Sequence, residues 1–330
     1  MTPYIDSQRQ AIREAFRVLE TAVTQPIGLT YDLRSVREAL FPDTEEKQEE
    51  ETISSGLRER VRVPLPAALE TAHIIVKTVE NLHHLNGLDP SWATRALKVL
   101  ARVEHRLGVD LRAQTGARVR GLYVILDPQA AQGRDILLIA EAVLKGGARV
   151  LQLRDKMREK GDQMPIARKL LALCREANAL FVVNDHADLA VACGADGLHL
   201  GQHDLPSAEA RQILSPGQLM GRSNSTLEEA MASQSQGADY VAVGAVFSTA
   251  SKEPQRTRHA GLETLKQVKE AVAVPVVAIG GINEGNVGQV LAAGADAVAV
   301  ISAVVSTPNP EEAARRLSDP IEEALARRAR

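Results

Sequence analysis

The spacing of apolar residues divides the chain into two parts. From residue 6 to about residue 115, apolar side chains recur at intervals of three and four, which is the period of amphipathic helices. The acidic run over residues 43–51 interrupts this pattern and is predicted to be a solvated loop. We predict an all-helical N-terminal domain over residues 1–115. Its four helices are expected over residues 6–23 and 33–40, from Pro66 to Gly87, and from Pro90 to Gly108.

From Gly121 onward, short apolar runs alternate with segments of helix length. Runs of four to eight apolar residues bounded by turn residues are typical of strands buried on both faces, and such strands form parallel sheets. Their number and spacing predict a (β/α)8 TIM barrel of the α/β class over residues 116–330. The predicted strands are Leu122–Leu126, Val150–Leu153, Leu180–Val183, Gly197–Leu200, Leu219–Gly221, Tyr240–Val246, Val276–Ile279 and Ala297–Ile301.

An internal repeat supports the barrel. The tripeptide Gly-Ala-Asp begins at Gly194, Gly237 and Gly294, each time just before a predicted strand, and Gly147-Ala148 echoes it. The glycine is expected to end the preceding helix in the left-handed conformation. A doubly wound open sheet is the competing fold, but it needs a phosphate loop after its first strand, and residues 127–129 do not form one.

Composition narrows the class of protein. A net charge of −3 gives no global basic field for nucleic acid. No apolar run is long enough to span a membrane, and the first residues lack the pattern of a signal peptide. Cys174 and Cys193 are predicted to be reduced core residues. These features favour a cytoplasmic protein without membrane or nucleic-acid partners, and they are compatible with a homo-oligomer.

Carboxylates follow two neighbouring predicted strands. Asn184 and Asp185 come directly after the third strand, and Asp204 follows the fourth. In parallel α/β folds, catalytic groups lie at the carboxyl ends of the strands. Two such carboxylates without a nearby cysteine suit a hard cation such as Mg2+ that holds a substrate phosphate. The alternative is structural, with Asp185 capping a helix and Asp204 forming a turn.

The second strand ends in fixed cations. In the segment Gln152-Leu153-Arg154-Asp155-Lys156, alternation directs Gln152, Arg154 and Lys156 to the same side, which is predicted to be the barrel mouth. Cations beside two metal-binding carboxylates form a pyrophosphate site. A salt-bridged rim is the alternative for Arg154 and Lys156.

The remaining strand ends carry hydroxyls and glycines. Ser223 lies among small hydroxyl residues that either bind a ligand or cap the next helix, and residues 248–252 place hydroxyls before Lys252. Gly280 and Gly281 follow the seventh strand, where phosphate-binding barrels hold a phosphate with backbone N–H groups. His186, His199 and His203 flank the site without forming a metal triad, and no nucleophile with an adjacent base is evident.

These motifs, taken together, resemble the thiamine phosphate synthase family. The resemblance spans residues 120–306 with every motif in order. It is carried by Gln152–Lys156, Asn184-Asp185, Gly197–Asp204, Ser223, Thr249–Lys252, Gly280–Ile282 and Ile301-Ser302.

The resemblance implies a transferase that couples 4-amino-2-methyl-5-(diphosphooxymethyl)pyrimidine to 4-methyl-5-(2-phosphooxyethyl)thiazole, giving thiamine phosphate and pyrophosphate in thiamine biosynthesis. It implies that Asp185 and Asp204 hold Mg2+ and that Arg154, Lys156 and Lys252 are catalytic. The implied pyrimidine-binding residues are Gln152, Leu153, Arg154, Asp155, Lys156, Asn184, Ser223 and Lys252. The residues implied to hold the thiazole phosphate are Thr249, Ser251, Gly281, Ile301 and Ser302, and Ala250 and Gly280 are further substrate-binding residues.

Three alternatives stay open. A thiazole tautomerase of the same barrel family needs neither a diphosphate nor a metal site, and a non-catalytic precursor-binding protein would bind without turnover. The segment from Arg13 to Glu20 weakly resembles a helical domain that is fused ahead of the synthase in some bacteria, some members of which are linked to phosphorylation of hydroxymethylpyrimidine phosphate. Residues 1–115 are therefore a packing or dimerisation domain, or the kinase half of a bifunctional chain.

Overall fold

The computed structural model describes residues 2–23, 27–40, 63–85, 87–248 and 259–328. The chain divides into two compact units, Met1–Leu111 and Arg112–Arg330. The division therefore falls four residues before the predicted boundary at residue 115. The predicted acidic loop over residues 43–51 lies outside the described residues.

The first unit is helical. Among the described residues, its helices are α1 (Thr2–Ala22), α2 (Ile27–Leu40), α3 (Leu65–His84) and α4 (Pro90–Gly116), and the last residues of α4 belong to the second unit. The four predicted helices are present, but the prediction that the fourth ends at Gly108 is wrong. One internal glycine costs a helix only about 1 kcal/mol relative to alanine, and the residues after Gly108 include the helix formers Leu111, Arg112 and Ala113.

The core of the first unit is apolar, and a few polar groups in it make hydrogen bonds and ion pairs. Phe16 of α1 is fully buried, and the Trp92 ring lies with its centroid 6.5 Å from the Phe16 ring. The indole N–H of Trp92 donates to the carbonyl of Val36 at 2.7 Å, so the only tryptophan of the chain is buried with its polar atom satisfied. Arg37 Nε donates to Glu20 Oε1 at 2.8 Å and joins α2 to α1.

The second unit confirms the predicted (β/α)8 barrel. Each strand pairs in parallel with the next, and β1 pairs with β8 to close the sheet. The fifth strand extends three residues beyond its predicted end, and the sixth ends three residues earlier than predicted. The strands are β1 (Gly121–Leu126), β2 (Ala148–Leu153), β3 (Leu180–Asn184), β4 (Gly197–Leu200), β5 (Leu219–Asn224), β6 (Tyr240–Val243), β7 (Val276–Ile279) and β8 (Ala297–Val300).

Helices follow the strands and cover the outside of the barrel. Their apolar faces pack on outward-facing strand residues such as Leu122, Leu151 and Val298 in one continuous core. The helices are α5 (Pro128–Ala131), α6 (Ile136–Lys145), α7 (Lys160–Glu176), α8 (Ala187–Cys193), α9 (Ser207–Ile213), α10 (Leu227–Ser235), α11 (Gly261–Ala271), α12 (Val287–Ala292), α13 (Ser302–Val305) and α14 (Pro310–Arg328).

The repeated Gly-Ala-Asp tripeptide stabilises the amino-terminal end of the barrel by hydrogen bonds. Gly194, Gly237 and Gly294 have φ of 73°, 88° and 102°, as a left-handed helix end requires. The aspartate that follows each glycine accepts a 2.8 Å hydrogen bond from the backbone N–H at the start of the strand before it. The pairs are Asp196 with Phe181, Asp239 with Met220 and Asp296 with Val276.

Two further expectations concern the core and membranes. Cys174 and Cys193 are buried and unpaired, as predicted, and burial raises the pKa of the Cys174 thiol to about 12. Among the described residues, no helix combines the length and the apolar character that a membrane span requires.

Candidate active site

The site lies at the carboxyl ends of the strands, and its centre is a pair of carboxylates. Asp185 directly follows β3 and has a left-handed backbone with φ of 61°. Its backbone N–H donates to the carbonyl of His199 on β4 at 2.8 Å, which fixes the position of the residue at the strand end. Asp204 belongs to the loop after β4, and its Oδ2 accepts from the Gly201 N–H at 2.7 Å. A side chain at position 201 would come within 2.9 Å of that oxygen, so glycine permits the turn.

The two carboxylates lie close together, and each shifts the pKa of the other. Burial and the hydrogen bond to Asp204 raise the pKa of Asp185. Burial also acts to raise the pKa of Asp204, but hydrogen bonds from Asp185 and from the Gly201 N–H hold that pKa below its ordinary value. Opposite pKa shifts of this kind are characteristic of two carboxylates that lie close together.

Two cations follow β2, and one of them, Lys156, contacts the pair. The Lys156 ammonium makes an ion pair with Asp185, and its side chain is 43% exposed. The Arg154 guanidinium makes an ion pair with Asp127, whose side chain is nearly buried just after β1. Asp127 also caps α5 by accepting from the Gln129 N–H at 2.9 Å. Asp127 was not predicted as a site residue, although its position after a strand is a signal that could have identified it.

Two other side chains of the predicted diphosphate motif are engaged elsewhere. Leu153 is buried in the apolar layer outside the barrel. The Asp155 carboxylate binds Arg158 Nη1 at 2.7 Å and the backbone N–H of Met157 at 2.9 Å. Burial acts to raise the pKa of Asp155, but these hydrogen bonds hold it below its ordinary value. The structure thus gives both side chains a role in shaping the loop.

The barrel interior carries a chain of hydrogen bonds that we call the polar column. Gln152 Nε2 donates to Tyr123 Oη at 2.7 Å, and Tyr123 Oη lies 3.2 Å from Tyr240 Oη. Tyr240 Oη lies 3.1 Å from His199 Nδ1, and His199 Nε2 lies 2.9 Å from Ser223 Oγ. The column connects five strands, and it brings two predicted site residues, Gln152 and Ser223, into one network. Asn184 is on the same interior register of β3, two residues after the buried Val182.

The two tyrosines were not identified from the sequence, and His199 was assigned only a flanking position. Both phenols are fully or nearly buried. Burial raises the pKa of Tyr123 to about 12 and that of Tyr240 well above its ordinary value, so both are neutral at physiological pH. The Tyr240 ring lies over Gly221 of β5, where a Cβ atom would overlap it.

A second candidate site lies after β7 and β8. Gly280 and Gly281 have φ of 102° and 66°. A Cβ at Gly280 would lie 2.6 Å from the Cα of Ala245, and one at Gly281 would overlap the carbonyl of Ser248. Ile301 and Ser302 begin α13, whose first N–H groups have no partner within the helix. Glycine therefore lets the loop after β7 approach the loop after β6 at this end of the barrel.

Four predicted site residues lie where the structure gives no description, and one predicted helix cap is present. Thr249, Ala250, Ser251 and Lys252 lie outside the described residues. The hydroxyl run after β5 includes a helix cap, as anticipated, because Thr226 Oγ1 accepts from the Glu229 N–H at 3.2 Å.

The donor set bears on whether a metal could bind. In the part of the chain that the structure describes, no group of three or more His, Cys, Asp or Glu side chains converges as a metal cage. Asp185 and Asp204 are two carboxylates only. This fits Mg2+, which usually takes one or two protein carboxylates and completes its shell with water and substrate phosphates. The set does not fit a zinc site, which needs three or four nitrogen or sulfur ligands.

The fold is a (β/α)8 barrel with carboxylates and cations at the carboxyl ends of its strands. Comparison with known proteins gives the family. The family described as thiamine monophosphate synthase matches residues 122–304, which is more than half of the chain. The thiamine-phosphate synthases of Methanospirillum hungatei and Methanoculleus marisnigri are 44% and 46% identical to it over 199 and 205 residues. These matches cover 60% and 62% of this chain and 96% and 97% of the relatives.

A solved structure agrees with these relatives. Thiamine phosphate pyrophosphorylase from Pyrococcus furiosus is 38% identical, with a TM-score of 0.58, and the match covers 64% of this chain and 99% of that one. This chain belongs to the thiamine monophosphate synthase family. The family predicted from the motifs is therefore confirmed, and with it thiamine phosphate synthesis as the function of the barrel. The match begins at residue 122 and does not include the helical unit.

Proposed function

We propose that the barrel is a Mg2+-dependent transferase acting on two phosphorylated substrates. It joins 4-amino-2-methyl-5-(diphosphooxymethyl)pyrimidine to 4-methyl-5-(2-phosphooxyethyl)thiazole and releases pyrophosphate with thiamine phosphate. The observation that carries this proposal lies at the carboxyl ends of the strands. There the carboxylates of Asp185 and Asp204 lie close together, and the Lys156 ammonium makes an ion pair with Asp185. Negative groups for a cation and positive groups for a diphosphate lie side by side there.

The chemical step needs charge neutralisation more than proton transfer. The bond between the pyrimidine methylene and the diphosphate oxygen breaks, and its electron pair leaves with pyrophosphate. The thiazole nitrogen supplies the pair for the new carbon–nitrogen bond, so no proton has to move. Electron donation from the aminopyrimidine stabilises the positive methylene. The site accordingly needs no nucleophile with an adjacent base.

Arg154 and Lys156 are proposed to bind the diphosphate. The exposed side chain of Lys156 can exchange its partner Asp185 for a diphosphate oxygen. Arg154 is held at the site by Asp127, and its planar guanidinium suits two phosphate oxygens at once. Lys252, predicted from the sequence, would add a third cation. These charges stabilise the leaving group where negative charge develops.

Asp185 and Asp204 are proposed to hold Mg2+. When bound, Mg2+ would neutralise part of the diphosphate charge and so make pyrophosphate a better leaving group. The left-handed backbone at Asp185 and the glycine turn at Gly201 fix the two carboxylates before substrate arrives. Gln152, Asn184 and Ser223 would then orient the pyrimidine ring.

The loops after β7 and β8 are proposed to hold the thiazole phosphate. The backbone at Gly280 and Gly281 and the N-terminal N–H groups of α13 at Ile301 and Ser302 are available to a phosphate. Thr249, Ala250 and Ser251 are predicted to complete this site. Holding the thiazole nitrogen in line with the methylene can lower the activation free energy by roughly 7–11 kcal/mol.

The test is a turnover assay of the full chain with both substrates and Mg2+, following thiamine phosphate. Asp185→Ala is expected to lose Mg2+-dependent turnover and to keep its fold by circular dichroism. Asp185→Asn is the matched variant, because asparagine tolerates the left-handed backbone that alanine disfavours. Full activity in both variants would refute the metal assignment.

The same assay separates the alternatives. Product from the pyrimidine monophosphate plus ATP would make the chain bifunctional and would assign a kinase to the N-terminal unit. No product from the diphosphate, with folded protein, would favour a thiazole tautomerase or a binding protein. Product from the diphosphate alone is the result that we expect.

A further inference from the structure

The polar column sets a direction for hydrogen bonding through the middle of the barrel. The Gln152 amide nitrogen can only donate, so the Tyr123 oxygen accepts from it at 2.7 Å. A phenol has one proton, and the next oxygen along, 3.2 Å away, is that of Tyr240. The arrangement that gives every group of the column a partner has Tyr123 donating to Tyr240 and Tyr240 donating onward to His199 Nδ1 at 3.1 Å.

The direction continues to the other end of the column. A histidine that accepts at Nδ1 is the neutral tautomer with its proton on Nε2. His199 Nε2 then donates to Ser223 Oγ at 2.9 Å. Because Ser223 Oγ accepts this bond, its own hydroxyl proton does not go to His199 and can be donated to a ligand.

We propose that the polar column is a positioning relay. Tyr123 and Tyr240 hold His199 in the Nε2–H tautomer, so that Ser223 presents its hydroxyl proton to a ring nitrogen of the pyrimidine substrate. The part that concerns the pyrimidine rests on the proposed function, whereas the tautomer does not. Tyr123 and Tyr240 are positioning residues, because they act on the substrate only through His199 and Ser223.

Burial favours one arrangement of hydrogen bonds in the polar column. Gln152 and Tyr123 are each 2% exposed, Tyr240 is fully buried, and His199 is 8% exposed. In such surroundings an unsatisfied donor or acceptor loses its hydration without compensation, so the arrangement that satisfies every group is favoured. The imidazole of His199 also stacks on the Tyr240 ring, with the centroids 5.6 Å apart, which fixes the ring plane.

The fold makes room for the relay at one specific place. Gly221 lies on the interior register of β5 between Leu219 and Ser223, and the Tyr240 ring occupies the space that a side chain there would fill. The glycine thus lets a tyrosine from β6 reach a histidine on β4 across the intervening strand.

The first experiment determines the tautomer in the full chain without substrate. Two-bond 1H–15N spectra of protein labelled at histidine distinguish the two neutral forms, and His199→Gln identifies the resonance among the eight histidines. We expect Nδ1 to be unprotonated and Nε2 protonated. A wild-type spectrum with the proton on Nδ1 would overturn the relay, and this result does not depend on any variant folding.

Variants then test the cause. Tyr240→Phe keeps the stacked ring and removes the donor, so the His199 resonances should shift toward a mixture of tautomers. Ser223→Ala leaves that donor in place and should retain the Nε2–H form. Tyr31→Phe, at an exposed tyrosine of the helical unit, is the matched control and should change nothing. An unchanged tautomer in Tyr240→Phe would overturn the relay.

Steady-state kinetics connect the tautomer to the substrate. Tyr240→Phe should raise KM for the pyrimidine diphosphate by roughly 3- to 10-fold, the effect of one misplaced neutral hydrogen bond, with KM for the thiazole phosphate unchanged. Equal increases in both KM values would refute the pyrimidine role. If the wild-type protein forms no thiamine phosphate, the proposed function fails, and the tautomer spectra still decide whether the relay exists.

Discussion

Replacing Asp204 with asparagine tests the proposed cation site directly. The substitution keeps the size of the side chain and an oxygen that can accept from the Gly201 N–H, so the turn after β4 should persist. It removes one of the two charges that would bind the cation. Because the remaining carboxylate, Asp185, already makes an ion pair with Lys156, we expect Asp204→Asn to lose nearly all affinity for Mg2+.

The size of the effect follows from ligand linkage. A ligand that binds only the folded protein and is present at 100 times its Kd adds about 2.7 kcal/mol to the free energy of unfolding. For a unit of about 200 residues, each kcal/mol corresponds to roughly 2–4 °C in Tm, so wild-type Tm should rise by about 5–11 °C. The same Mg2+ concentration should raise Tm of Asp204→Asn by less than about 2 °C.

Differential scanning calorimetry with Mg2+ alone, and with Mg2+ plus inorganic pyrophosphate, measures this shift. The matched control is Asp188→Asn, which removes an exposed carboxylate three residues from Asp185 that pairs with Lys160 at 2.8 Å. The control should keep the full Mg2+ response. A Mg2+-dependent rise in Asp204→Asn equal to that of wild type would show that the cation, if it binds, does not use this carboxylate.

Three other substitutions test separate parts of the barrel. Burial raises the pKa of Tyr123 to about 12, so the folded chain keeps a proton that the unfolded chain releases near pH 10. The free energy of unfolding should therefore fall by up to about 3 kcal/mol as pH rises from 10 to 12. In urea unfolding, Tyr123→Phe should lose less stability than wild type over this pH range. Gly281→Ala should raise KM for the thiazole phosphate more than tenfold in steady-state assays, whereas Gly133→Ala, also at positive φ but with open space around it, should leave KM unchanged. Asp239→Ala removes the acceptor for the Met220 N–H and the carboxylate that pairs with the partly buried Arg112 and Arg211. It should lower the free energy of unfolding by about 1–3 kcal/mol in urea titrations, and no measurable loss would contradict a role in holding the start of β5.

The pattern of apolar runs was sufficient to predict the barrel, because each strand is buried on both faces and is bounded by turn residues. The ends of the strands were harder to predict. Ser223 and Asn224 extend β5 by pairing with Ala242 and Val243 of β6, and backbone hydrogen bonds of this kind do not depend on side-chain polarity. Gly108 was predicted to end a helix, although one glycine is too weak a signal to decide the end.

The sequence was sufficient to predict those residues of the candidate site whose location is set by the end of a strand. Asp185 and Asp204 illustrate this, because they follow neighbouring strands and the structure brings their carboxylates close together. The direction of Asp155 could not be predicted, since it depends on the turn that Arg158 stabilises. Tyr123 and Tyr240 were missed because strands buried on both faces show no alternation that would mark their interior side.

The single tryptophan gives the N-terminal unit an optical signal of its own. Trp92 is buried in the N-terminal unit, and the barrel contains tyrosines but no tryptophan. Fluorescence excited at the red edge of the aromatic band therefore reports on the helical unit alone, even within the intact chain. Ligands for that unit can be screened by this emission without separating it from the synthase, and a pyrimidine phosphate that alters the emission would identify a ligand of the helical unit.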